Sequence, residues 1–139
     1  MCQTNVMNSY SRKENPRSIY RLEQTERVNK SASLSEKFPK LKAFSLEAAY
    51  FDPTGARLNG EMKYKLNLAH AKSIFRLNCV HGDCTAGDFD LTEELGRAIS
   101  ARRKTAEGEL RCQGTRHNKE KKESAPCGAI LRYKLIFRY

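Results

Sequence analysis

The placing of four cysteines constrains this chain more than any other feature. Cys79 and Cys84 form a C-x4-C pair; 27 residues then lead to Cys112, and 14 more separate Cys112 from Cys127. The first pair, within Cys79-Val80-His81-Gly82-Asp83-Cys84, lies where a strand-like run gives way to a glycine-containing loop. Cys112-Gln113-Gly114 and Cys127-Gly128 also put glycine close to a sulfur. Glycine beside a ligand lets the backbone turn so that N–H groups reach a thiolate and share its charge. Two sulfurs from one turn and two from a distant hairpin can complete a tetrahedron, each about 2.3 Å from a metal. The expected ligands are therefore Cys79, Cys84, Cys112 and Cys127 around one structural Zn2+. Spacing alone leaves other arrangements open: His81 or His117 replacing one cysteine, free buried thiols, or disulfides and a redox pair. His81 lies inside the C-x4-C loop, too constrained to ligate together with both of its cysteines, and Cys2 reads as a non-ligand.

These residues resemble a zinc-ribbon-like domain, in which two turns on hairpins hold one metal through four cysteines. The likeness covers Cys79–Cys84, Cys112-Gln113-Gly114 and Cys127-Gly128. It departs from the ribbon pattern in its second pair, which is split by 14 residues. The segment CVHGDCTAGDFDL is also similar to a motif of small bacterial proteins without assigned activity, and that similarity implies none.

The 139 residues correspond to one domain with a tail. Residues 1–40 are rich in Ser, Asn, Lys, Arg and Glu, and their apolar residues follow neither a 2.0 nor a 3.6 period. Such a segment cannot bury enough apolar area to offset its chain entropy. It reads as a flexible basic tail, with eight Lys and Arg against four Glu, and a short helix around Ser18–Val28 as its one local option. Residues 41–139 read as a single α+β domain. Apolar residues make up only 39% of the chain, so a metal staple would compensate for a modest core.

Within that domain the expected order is strand, strand, strand, helix, strand, strand. Ala43–Phe51 is apolar and partly alternating, and Asp52-Pro53-Thr54-Gly55 has the chemistry of a type I turn. Met62, Tyr64, Leu66 and Leu68 alternate with Lys63, Lys65 and Asn67, which argues for a half-buried strand with a basic outer face. Ser73–Cys79 is the third strand, although residues 61–78 hold no Gly or Pro and a helix through Tyr64, Leu68, Ala71 and Phe75 also fits them. Asp90 and Glu93 resemble a capping box before an apolar stripe of Leu91, Leu95, Ala98 and Ile99. Glu109–Thr115 and Ala129–Tyr139 are the last strands, with Arg116–Ser124 a polar loop between them. In Ala129–Tyr139 the residues Leu131, Tyr133, Leu135, Phe137 and Tyr139 share one face. Adjacent strands with short turns favour an antiparallel sheet of about five strands, covered by one main helix.

The chain holds 26 Lys and Arg against 16 Asp and Glu, a formal charge of +10. Arg102, Arg103 and Lys104 end the helix, Arg111 and Arg116 flank Cys112, and Lys119, Lys121 and Lys122 fill the last loop. Lys and Arg neutralise phosphates without reading sequence. These eight residues are the expected contacts to RNA or DNA; a protein-interaction or assembly module is the runner-up, and a thiol redox protein the third reading. Asp83, Asp88, Asp90, Glu93 and Glu94 fall within 12 residues, but their spacing is not that of a calcium loop, and a helix N-terminus favours carboxylates. No nucleotide-binding, zinc-protease or serine-hydrolase motif is present, so no enzyme is expected. No apolar run reaches 18 residues and no secretory leader is visible, which points to the cytoplasm and away from a membrane.

Overall fold

The longest strand, β1 (Ala43–Phe51), shows why the sheet forms. Phe44, Leu46, Ala48 and Tyr50 alternate onto one face and are all buried. The turn that follows is held by Asp52, whose Oδ1 accepts from the Thr54 amide at 2.9 Å and from the Thr54 hydroxyl at 2.6 Å. The Gly55 amide closes it onto the Asp52 carbonyl at 2.9 Å, as the Pro-Gly sequence requires. β2 (Met62–Leu66) then pairs antiparallel with β1, placing Phe44 opposite Leu66 and Ala48 opposite Met62. In this computed structural model, which describes residues 16–118 and 122–139, β9 (Ile130–Arg138) lies on the other side of β1 over nine residue pairs. β6 (Thr105–Arg111) flanks β9, giving the order β2-β1-β9-β6.

The molecule is mixed α+β with antiparallel sheets, as expected, but the main sheet has four strands. The others form two small sheets. β3 (Arg76–Asn78) pairs with β5 (Asp88–Asp90). β4 (Cys84–Thr85), β7 (Thr115–Asn118) and β8 (Glu123–Pro126) form the second. Thus Ser73–Cys79 contributes a strand outside the main sheet. Arg76 holds it to β5, donating from Nε to Asp88 at 2.6 Å and from Nη1 to Asp90 at 2.9 Å. The expected strand Glu109–Thr115 is cut in two at Cys112-Gln113-Gly114, and β6 and β7 enter different sheets. Arg116–Ser124, expected as a loop, belongs mostly to the β7–β8 hairpin.

The core lies on the inner face of the main sheet. Leu131 and Leu135 are fully buried there, and Tyr133 and Phe137 nearly so. The Phe44 and Phe137 rings stack at 5.3 Å, and Phe75 meets Phe44 edge-on at 5.6 Å. Among the described residues there are three helices: α1 (Pro16–Lys30), α2 (Leu34–Lys37) and α3 (Thr92–Ser100). Leu91, Leu95, Ala98 and Ile99 are buried as the helical stripe requires. The helix starts one residue later than a capping box at Asp90 would place it. Leu91 is its N-cap, while Asp90 ends β5 and accepts from the Thr92 amide at 2.9 Å.

The 1–40 tail needs the largest correction. Residues 1–15 are not described. Pro16–Lys30 is helical, and α1 runs beside β4. Ser33 caps α2 with a full capping box: its Oγ accepts from the Glu36 amide, and Glu36 Oε1 accepts from the Ser33 amide at 3.2 Å. Leu34 is fully buried in the core, well before the expected boundary at Leu41. Backbone bonds fix it there. The Leu34 and Ser35 amides donate to the Ala71 and Leu68 carbonyls, and the Ser73 amide returns to the Ala32 carbonyl. These partners lie more than thirty residues away, so no local periodicity reports them. Among the described residues no helix is long and apolar enough to cross a membrane.

Candidate metal centre

The four cysteines reach one point from four separate places. Cys79 follows β3, Cys84 opens β4, Cys112 follows β6, and Cys127 lies between β8 and β9. The Cys112 amide bonds the Ala129 carbonyl at 2.7 Å and the Cys127 amide the Gly114 carbonyl at 2.8 Å, which ties the two distal segments together. All four side chains are buried, with 2–5% exposure. Their sulfurs lie within 4.8 Å of one another, and Cys79–Cys127 and Cys84–Cys112 are each 3.6 Å apart. A tetrahedron with metal–sulfur bonds of about 2.3 Å has sulfur–sulfur edges of about 3.8 Å. The cluster therefore has the size a single tetrahedrally held ion requires.

The surrounding backbone also fits a thiolate site. The Gly114 amide donates to Cys112 Sγ at 3.4 Å, and the His81 amide donates to Cys79. Both bonds run from the second residue after a cysteine back to its sulfur, so two turns of the same kind face each other. Donors of this sort orient thiolates and spread their charge. Two glycines pack directly on the sulfurs. A Cβ on Gly114 would lie 2.5 Å from Cys84 Sγ, and one on Gly87 would lie 2.5 Å from Cys112 Sγ and overlap Cys84 Sγ. Gly114 follows from its place two residues after Cys112; Gly87 had no sequence signal, because it becomes a neighbour of Cys112 only through the fold.

Without an ion, burial pushes the Cys79 thiol up to about 12 and raises Cys84 as well, with the neighbouring cysteines adding to the shift. Four thiolates cannot share so dry a space unless a cation compensates them. The cysteines are not joined to one another as disulfides. Among the described residues they are the one group of His, Cys, Asp and Glu side chains close enough to hold a metal. Neither histidine enters it. His117 bonds Ser124 Oγ through Nδ1 at 3.0 Å, and His81 contributes its amide. The nearby carboxylates are engaged elsewhere: Asp83 with Arg116, Asp88 and Asp90 with Arg76, and Glu93 and Glu94 with Arg97.

Six of the eight expected nucleic-acid contacts are described, and they are spread from the start of β6 to the β7–β8 turn. Lys119 and Lys121 lie outside the described residues. Arg102, Arg103 and Lys104 precede β6, whereas Arg111 ends it, roughly 20 Å away at strand rise. Arg111 donates to the Gly128 carbonyl at 3.3 Å. Arg116 pairs with Asp83 at 2.9 Å beside the cysteine cluster, so its charge is committed locally. Lys122 sits in the β7–β8 turn. Two cations that the sequence assigned to the tail, Lys37 and Lys40, instead join Arg102 around one cavity. No family model, curated protein or solved structure matches this chain.

Proposed function

We propose that this chain is a small non-catalytic binding module, stapled by one structural zinc and carrying a basic surface for nucleic acid. The observation that carries the first half is the cluster of four buried sulfurs within 4.8 Å. Four thiolates in a tetrahedron suit zinc or iron, and a redox-inert ion suits a closed site whose role is to hold loops together. With every ligand position taken by a cysteine, no place is left for water or substrate, so the ion is structural. Its binding energy would be folding energy for the cysteine-bearing loops.

The net charge of +10 supports the second half, through counterion release on contact with phosphates. Such binding has little sequence preference and weakens steeply with salt.

Metal analysis of the purified protein tests the staple. One zinc per chain is expected, with about four thiols becoming reactive only on chelation and the chelator competing more easily as pH falls. Metal-free protein with freely reactive thiols would overturn it. Titration with a short single-stranded oligonucleotide at two salt concentrations tests the surface. Absence of salt-sensitive binding at micromolar protein would end the nucleic-acid reading and leave the staple standing.

A further inference from the structure

At the end of the molecule away from the cysteines, a cavity of about 330 Å3 opens between the segment after α2 and the C-terminal end of α3. That volume is at the low end for small-ligand sites, about 300 Å3 and above. Phe38, Ile99 and Tyr139 line it, with Lys37, Lys40 and Arg102 around them, and no carboxylate side chain does. Lys37 sits 5.7 Å over the Phe38 ring, and Arg102 lies 5.2 Å over the Tyr139 ring. Tyr139 is anchored through its hydroxyl, which donates to the Arg103 carbonyl at 3.0 Å. Arg103 and Lys104 follow directly and are exposed. None of these five cations has a carboxylate partner among the described residues.

Other charged regions differ. On the outer face of the main sheet Arg132 pairs with Glu109 at 3.0 Å, and Lys134 faces Glu107 at 3.7 Å. The cavity on that face is lined by four carboxylates, Glu47, Glu61, Glu107 and Glu109, against three cations. At the cysteine end Arg116 is paired.

The backbone fixes Arg102 at the groove. α3 closes in a Schellman motif: the Arg103 amide bonds the Ala98 carbonyl and the Arg102 amide the Ile99 carbonyl, both at 2.9 Å. Arg102 is the left-handed residue of that motif, with φ +54°. Glycine occupies this position at least cost, and an arginine there carries strain.

The geometry points to this groove as a binding site for single-stranded nucleic acid, with phosphates on Lys37, Lys40 and Arg102 and a base against Phe38 and Tyr139. It rests on the nucleic-acid reading above and gives that reading a place. Aromatic stacking with cations along the backbone is how unpaired strands are held without sequence preference.

The test is fluorescence anisotropy with labelled oligo(dT) and oligo(U) of about 12 nucleotides, within the usual span of such sites. The full-length, metal-loaded chain is used throughout. Combined Lys37→Glu and Lys40→Glu should weaken binding about tenfold or more at low salt, whereas Lys65→Glu on the outer sheet face should change it less than about twofold. Phe38→Leu should cost at least about fivefold through lost stacking. Arg102→Gly should raise Tm, by relieving the backbone, while lowering affinity; a purely structural arginine would not separate the two. Salt-dependent binding that all three groove changes leave intact would overturn the groove and spare the nucleic-acid reading. If labelled oligo-glutamate binds as tightly and Phe38→Leu affects neither probe, the surface serves an acidic peptide and the proposal fails. If the unaltered protein binds neither oligonucleotide, the groove and the reading beneath it both fall.

Discussion

The four-stranded sheet and the cysteine-bearing sheet hold their strands by different means. β1 and β9 pair over nine residues and bury an unbroken apolar face, with Phe44, Leu46, Leu131 and Leu135 each at most 1% exposed. β4 supplies two residues, β7 and β8 four each, and every residue of β8 is exposed. What the smaller sheet buries is mainly its sulfurs. One region is stabilised by ladder hydrogen bonds and apolar area, at about 1.5–3 kcal/mol for each large side chain fully buried. The other has too little apolar material to close on itself, and a metal would substitute for it. The two regions touch: the four cysteines belong to the same buried cluster as the main-sheet core, and the Tyr50 hydroxyl donates to the Asn78 carbonyl at 3.3 Å, next to Cys79.

The strongest way to break this comparison is to remove the proposed metal. Structural zinc is worth about 10–16 kcal/mol in small domains. Chelation, or Cys84→Ser, should abolish amide-exchange protection in β7 and β8 while β1 and β9 keep most of theirs. Parallel loss in both would mean a single cooperative unit with no division of labour.

A core truncation probes the other side. Leu135 is fully buried at the centre of the main sheet, and Leu135→Ala should lower stability by about 2–5 kcal/mol in denaturant titrations. Zinc content should stay at one per chain; loss of zinc would show that the cysteine loops depend on the sheet for their geometry.

Gly87→Ala acts at the join between loop and sulfurs. The added methyl would meet Cys84 and Cys112, and overpacking of this kind costs about 1–3 kcal/mol. The sharper readout is metal competition, in which this variant should lose zinc at lower chelator concentration than the parent protein. Equal retention would mean that the glycine is not needed for the ligand geometry.

The smallest expected effect concerns the N-terminal seam. Ser33→Ala removes the capping box of α2 and should cost about 0.5–2 kcal/mol, seen as a lower denaturant midpoint with unchanged slope. No change would indicate that Leu34 is held without its cap.

The cysteine cluster was legible because thiol chemistry is rare and its spacing is conspicuous. Cys79, Cys84, Cys112 and Cys127 converge although two of them are 48 residues apart. β1 and β9 were legible for a related reason: nine-residue strands alternate long enough for their period to show. The short strands were not. Three residues in β3 or two in β4 carry no period, and their pairing follows from Arg76 and from the cysteine turns. Nor was the docking of Leu34 legible, since the run around it is polar and its backbone partners are distant. The grouping of the cations was not legible for the same reason. Charges adjacent in sequence, such as Arg111 and the Arg102–Lys104 group, lie at opposite ends of β6, while Lys37 and Lys40 meet Arg102 from another part of the chain.

The amino-acid sequence by itself determined the chemistry of this protein: which four residues can hold a metal, which strands are amphipathic, and the sign of the charge. Those properties belong to residue types and to spacings of a few positions. Only the tertiary structure decided which strands share a sheet, where the packed domain begins, and which cations stand together. Such choices rest on contacts between distant segments, whose cost and reward appear only when the chain closes on itself.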